Sequence, residues 1–180
     1  MKKTILTFGL ISGAVSAAMM LITVPFHDRI GFDSAGYVVG YTGIVLSFLL
    51  VFFGIRSYRD NVGGGQIAFG KAFMIGLGIT VISCVCYVIT WEALYFTVLH
   101  DFPDKYAAHV IQKVRASGAS DAVIAQKAKE LPDFKVMYEN PLINAAFTFI
   151  EPFPVGLVMT LISAGLLRRK PGVTVQAATS

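Results

Sequence analysis

Ala72-Phe73-Met74-Ile75-Gly76-Leu77-Gly78-Ile79-Thr80-Val81-Ile82-Ser83-Cys84-Val85-Cys86-Tyr87-Val88-Ile89-Thr90-Trp91 contains no charged residue. At ~1.5 Å per residue, a helix of that length crosses the ~30 Å hydrocarbon core of a bilayer. Past Glu92 the run stays apolar to Leu99. Three other stretches read the same way: Thr4 to Phe26, Gly36 to Ile55, and Pro141 to Leu167, the last interrupted once by Glu151. The expected fold is an all-α integral membrane protein. Four transmembrane helices, about 4–26, 36–55, 72–99 and 141–167, form a bundle. A helical hairpin, segment 103–131, lies outside the membrane between the third and fourth helices.

Composition supports this reading. The chain has 180 residues, 55% hydrophobic and only 14% charged, with a mean hydropathy of +0.67. Soluble domains carry roughly 25% charged residues. The deficit excludes a soluble enzyme with a polar surface, and it excludes disorder, which needs high charge and low hydrophobicity. One membrane domain over 1–170 is expected, followed by a flexible tail at 171–180. The net charge is +4, but the basic residues form no stripe with interleaved aromatics, so no nucleic-acid partner is expected. Cys84 and Cys86 are two apart on a helix, face different ways, and read as packing residues rather than a bridge. No spacing of Cys and His suggests zinc.

Lys and Arg in short loops mark the cytoplasmic side. Lys2 and Lys3 precede the first span, Arg56, Arg59 and Lys71 lie between the second and third, and Arg168, Arg169 and Lys170 follow the fourth. The loop between the first two spans holds Arg29 against Asp28 and Asp33. Both termini are therefore expected in the cytoplasm and residues 100–140 outside. The six basic residues of that outer segment sit mostly far from the span ends, where the rule weakens. Val15-Ser16-Ala17 after Lys2-Lys3 also resembles a signal-peptide cleavage site. The unbroken apolar run to Phe26 favours a retained span.

In lipid, helices associate through close backbone approach rather than through hydrophobic burial. Small residues recur every four positions in each span: Gly9, Gly13, Ala17; Gly36, Gly40; Ala72, Gly76, Thr80, Cys84; Gly156, Thr160, Ala164. These stripes predict a compact bundle; the alternative is that one of them makes a dimer contact.

Between the third and fourth spans, Pro103 suits a first helical turn. Tyr106, Val110 and Val114 recur at spacing four. Ser117-Gly118 marks a break. Ser120 reads as an N-cap with Asp121 in the first turn, and Pro132 reads as the stop. The two short amphipathic helices must cover their apolar face by capping the bundle, by lying on the outer leaflet, or by binding a partner. Capping is the plainest of the three.

An ionisable group inside a span is costly, so Glu92 and Glu151 are the candidate intramembrane carboxylates, functional or structural. Glu92 lies 21 residues beyond Lys71, ~31 Å along a helix. Glu151 lies 17 residues before Arg168, ~25 Å away. Both are expected at similar height, near His27, Asp28, His100 and Asp101. Such a group could bind a cation or carry protons. A structural role, with Glu151 bonded to backbone freed by Pro152 and Pro154, competes with it. No catalytic motif is present: no His-Glu-x-x-His and no Gly-x-Ser-x-Gly. Gly63-Gly64-Gly65 does not open a phosphate loop, because Gly70-Lys71 is followed by Ala72 instead of a hydroxyl residue. That loop reads as a turn whose basic residues Arg56, Arg59 and Lys71, with Arg168, Arg169 and Lys170, anchor to lipid headgroups.

Several motifs together resemble the bacterial family catalogued as domain of unknown function 4199. They are Phe53-Gly54-Ile55-Arg56-Ser57-Tyr58-Arg59-Asp60, Phe69-Gly70-Lys71-Ala72-Phe73, Tyr138-Glu139-Asn140-Pro141-Leu142, Glu151-Pro152-Phe153-Pro154-Val155-Gly156-Leu157 and Leu161-Ile162-Ser163-Ala164. The resemblance covers about residues 3–170 and implies a small four-span inner-membrane protein without an assigned activity. It supplies no catalytic residue and no cofactor. The expected function is a non-enzymatic membrane module that binds a partner or supports an envelope assembly, its expected partners being membrane lipids and a second copy of itself or another membrane protein. The alternative is ion- or proton-coupled transport through Glu151 and Glu92.

Overall fold

The computed structural model describes residues 1–23 and 34–169. The expectations for His27, Asp28, Arg29, Lys170 and the tail 171–180 lie outside the described residues.

Among the described residues the chain is all helical. Helix α1 is Lys2–Thr23, α2 Ser34–Asn61, α3 Phe69–Thr97, α4 Phe102–Ala116, α5 Asp121–Glu139, α6 Pro141–Ile150 and α7 Phe153–Leu167. Four segments are long and apolar enough to cross a membrane: Lys2–Thr23, Val38–Asn61, Phe69–Thr97 and Pro141–Leu167. At the basic end the helices run a few residues past the expected spans, to Lys2, Asn61 and Phe69, whereas α3 ends at Thr97, before the expected 99. The fourth span is two helices, α6 and α7. Pro152 and Pro154 supply no backbone N–H and interrupt the ladder at Glu151.

Helix α3 is the central element, packed against α1, α2, α6 and α7. Close approach at small residues sets the directions. A Cβ on Gly9 would lie 2.8 Å from Ile82, on Gly13 2.5 Å from Cys86, and on Gly78 2.9 Å from Ile5. These pairs rise together in number, so α1 runs parallel to α3. Gly76 meets Thr160, and Gly156 meets Thr80 and Phe48. These pairs run in opposite senses, so α2 and α7 are both antiparallel to α3. Three of the four stripes are used in this way. Gly54 and Gly78, outside any stripe, make equally close approaches to Ile79 and Ile5. Gly40 of the fourth stripe has open space around it.

The apolar core is Ile44, Phe48, Val51 and Ile55 of α2, Ile75 and Ile79 of α3, and Ala164 and Leu167 of α7. Hydroxyls stitch the helices at mid-bundle. Ser12 Oγ donates to the Ser47 carbonyl at 2.9 Å and stands 2.9 Å from Ser83 Oγ. A hydroxyl has one proton, so Ser83 is the donor of the second pair. Thr80 Oγ1 is 3.1 Å from Thr160 Oγ1. Interhelical bonds of this kind are worth ~0.6 kcal/mol in a membrane. They fix register more than they drive assembly.

The basic ends of α1, α2, α3 and α7 share one end of the bundle. There Gly64 and Gly65 take positive φ (58° and 81°) in the α2–α3 turn, and Arg169 N donates to the Ile67 carbonyl at 3.0 Å. Helices α4 and α5 form a hairpin at the other end, turned at Gly118 (φ 75°). Ser120 holds the N-cap position, but its side chain makes no cap bond. Pro132 does not stop the helix; α5 runs through it to Glu139. The lost backbone bond costs ~3 kcal/mol. The extra turns recover contacts by carrying Phe134, Lys135 and Tyr138 onto the rest of the fold. Among the described residues, neither hairpin helix packs substantially on α1, α2 or α7, and α5 has no buried residue.

A test of the close approaches is a matched pair of glycine substitutions. Gly156→Ala forces a methyl against Thr80 and Phe48 and should cost ~1–3 kcal/mol. Gly165 has open space, so Gly165→Ala should be neutral or gain up to ~1 kcal/mol of helix propensity. Thermal melts in detergent should show a lowered Tm for the first only.

Candidate functional site at the hairpin end of the bundle

The root of the hairpin is a run of rings. Trp91 meets Phe102 edge-on at 5.0 Å between centroids, Tyr95 meets Tyr138 at 5.4 Å, and Phe134 stacks on Tyr138 at 5.3 Å. Tyr106 approaches Phe134 at 5.7 Å. Such pairs contribute ~0.5–1.5 kcal/mol each beyond burial. They tie α4 and α5 to the end of α3. Lys135 Nζ adds an ion pair to Asp104, 2.7 Å from Oδ1. That hydrogen bond, with the carboxylate's charge behind it, raises the lysine pKa.

Beneath the rings Asn144 is fully buried and bonded at both atoms of its amide. Asn140 caps α6 by accepting from the Leu142 and Ile143 amides (3.0 and 3.4 Å), which places Asn144 one turn on. Its Oδ1 accepts from Trp91 Nε1 at 3.0 Å and from Thr148 Oγ1 at 3.2 Å. Its Nδ2 donates to the Tyr138 carbonyl at 3.1 Å. One amide therefore joins α3, α5 and α6. Burial pushes the Tyr138 hydroxyl up to about 12, with hydrogen bonds to Thr148 and Trp91 opposing and the charge of Glu151 adding.

Glu151 sits at the α6–α7 break. Tyr87 Oη donates to its Oε2 at 3.3 Å. The bonded partner is thus a phenol of α3 rather than backbone freed by the prolines. The carboxylate remains exposed on the side of the bundle. Tyr41 of α2 and Tyr138 are the other electrostatic neighbours of Tyr87. Glu92 does not join this group. It lies five residues beyond Tyr87 on α3, ~7.5 Å further along and ~140° around the helix. Its Oε1 is buried without a hydrogen-bond partner among the described residues. The two carboxylates, expected at similar height, are thus set apart by the turn around α3. Asp101 is engaged elsewhere, with Lys105 at 3.0 Å.

The basic residues divide in the same way. Arg59 pairs with Asp60 at 2.7 Å, Arg56 reaches the same carboxylate at 3.6 Å, and Lys71 lies over the Tyr58 ring at 5.8 Å. Arg168 and Arg169 stay exposed. Cys84 and Cys86 are free thiols. Among the described residues no three His, Cys, Asp or Glu side chains group as metal ligands.

A family model described as "Protein of unknown function (DUF4199)" matches residues 7–169. The chain belongs to that family. No curated protein and no solved structure matches it. Two of the stretches quoted for the resemblance frame the site: Tyr138 and Asn140 come from one and Glu151-Pro152 from the other. Sequence reading missed Asn144 and Tyr87, since a lone Asn and a lone Tyr in apolar runs carry no spacing signal. The one available cue is that Asn144 follows the Asn140-Pro141 helix start by a turn.

Asn144→Leu removes the bonds to the Trp91 N–H, the Thr148 hydroxyl and the Tyr138 carbonyl. It should cost ~1–3 kcal/mol. Trp91 is the only tryptophan, so its emission should shift to the red as the hairpin root opens to water, alongside a lowered Tm.

Proposed function

We propose that this chain is a non-enzymatic module of the bacterial inner membrane. Both termini are cytoplasmic, and the α4–α5 hairpin is presented outside to a protein partner. The carrying observation is the way the hairpin is mounted. Its root is held by stacked rings and by Asn144, while among the described residues its remaining length packs substantially on none of α1, α2 and α7. Between its helices lies an open cleft of about 610 Å³, lined by Pro103, Ala107, Ile111, Ala128 and Leu131, with Asp104 and Arg115 among its polar residues. An amphipathic hairpin needs cover for its apolar face, and a cleft of this size accepts side chains of a partner helix. The orientation rests on the basic end: Lys2, Lys3, Arg56, Arg59, Lys71, Arg168 and Arg169 obey the positive-inside rule if that end is cytoplasmic. Exposed Arg168 and Arg169 there suit anionic headgroups.

Affinity purification from native membranes tests this. Ile111→Glu places a charge in the cleft and should remove a stoichiometric partner while leaving membrane insertion and Tm intact. Deleting Lys105 to Leu131 should also abolish partner capture while membrane insertion persists. Partner recovery unchanged by both variants overturns the hairpin as the docking site.

A second reading has its own observation. An exposed carboxylate within a span, hydrogen-bonded to Tyr87 at a Pro-broken helix, is the arrangement expected of ion or proton handling. Glu151→Gln keeps the shape and removes the charge. On this reading it should abolish ion or proton flux in proteoliposomes, and unchanged flux overturns the reading.

A further inference from the structure

Tyr87 and Glu151 are bonded on the side of the bundle, Tyr41 and Tyr138 are electrostatic neighbours of Tyr87, and helix geometry sets their level. Phe48, Thr80 and Gly156 meet at mid-bundle. Tyr41 lies seven residues before Phe48 on α2, and Tyr87 lies seven after Thr80 on antiparallel α3. Both are therefore ~10.5 Å from that contact, in the same direction. Glu151 lies five residues before Gly156 and accepts from Tyr87 at 3.3 Å. Tyr41 is 44% exposed, Gly40 beside it has open space, and Glu151 is exposed. The group is thus open laterally, within a segment long and apolar enough to cross the bilayer.

We propose that Glu151, Tyr87 and Tyr41 form a site for an organic cation, ammonium or phosphonium, that enters from the bilayer. A carboxylate facing hydrocarbon alone is costly and needs a counter-charge. Phenol faces attract cations through the ring quadrupole, most strongly where water is scarce. A small inorganic ion would need several oxygen ligands, whereas this site offers one carboxylate and aromatic surface, which suits a soft, weakly hydrated cation. Tyr138 closes the site from the hairpin side. Its hydroxyl feels the Glu151 charge, and its backbone is held by Asn144. This inference rests on the ion-handling reading and names the class of cation.

The test is binding of tetraphenylphosphonium to the purified full chain in detergent, read by calorimetry and by Trp91 emission. One saturable site per chain is expected. Glu151→Gln should weaken it by about tenfold or more, and Tyr87→Leu and Tyr41→Leu by about two- to fivefold each. A monodisperse elution profile and an unchanged far-ultraviolet spectrum show that each variant folds. Tyr41→Leu, on the exposed side, keeps the test decisive if Glu151→Gln does not fold. Non-saturable partitioning, or full affinity in either Glu151→Gln or Tyr41→Leu, overturns the site. Nanodiscs distinguish the source: competition by phosphatidylethanolamine, absent with phosphatidylglycerol, assigns the site to a lipid ammonium, and equal binding in both assigns it to a free organic cation. Glu151-dependent proton flux without phosphonium binding leaves the ion reading standing and removes this inference alone.

Discussion

Everything in this bundle depends on how closely backbones can approach α3. Apolar side chains gain nothing by leaving lipid for one another, so the helices are held by contact and by hydroxyl bonds. Gly9 and Gly13 admit α1, Gly54 lets Ile79 reach α2, and the reciprocal pair Gly76–Thr160 and Thr80–Gly156 admits α7. These contacts surround α3 on several sides. The serine triad at Ser12, Ser47 and Ser83 and the threonine pair at Thr80 and Thr160 then fix the register. Each such bond is small, but an unmade one in hydrocarbon is expensive, which turns a weak attraction into a strong constraint.

Register at mid-bundle has consequences at both ends. At the basic end it brings the α2–α3 turn beside the end of α7, where Ile67 and Arg169 bond. At the hairpin end it sets Trp91 opposite Asn144 and Tyr87 opposite Glu151. The Pro-broken fourth span matters here. Because α6 and α7 are separate helices, α6 can follow Asn144 toward Trp91 while α7 follows its small residues along α3. The carboxylate lies at the junction between these two demands. The hairpin is mounted through the same contacts, since Tyr138 shares its carbonyl with Asn144 and its ring with Phe134 and Tyr95.

Much of this was legible in the residues. The four apolar runs, the stripes in α1, α3 and α7, the break at Glu151 and the turn at Gly63 to Gly65 follow from periodicity and from the chemistry of Gly and Pro. What misled was also local. Pro132 reads as a stop because a proline lacks a donor, yet ring contacts further along hold α5 helical through it. Glu92 and Glu151 read as lying at similar height because their distances from the basic end are similar. Height along a helix says nothing of direction around it, and Glu92 faces away.

The sequence by itself determined that the chain crosses a membrane four times, with its basic ends together, because length, charge and hydropathy act residue by residue. Only the tertiary structure decided that Asn144 is a hub, that Tyr87 rather than Glu92 accompanies Glu151, and that the Gly40 stripe is left open. Those outcomes depend on which faces of different helices meet. Meeting is a property of packing between distant segments, and no spacing within one segment encodes it.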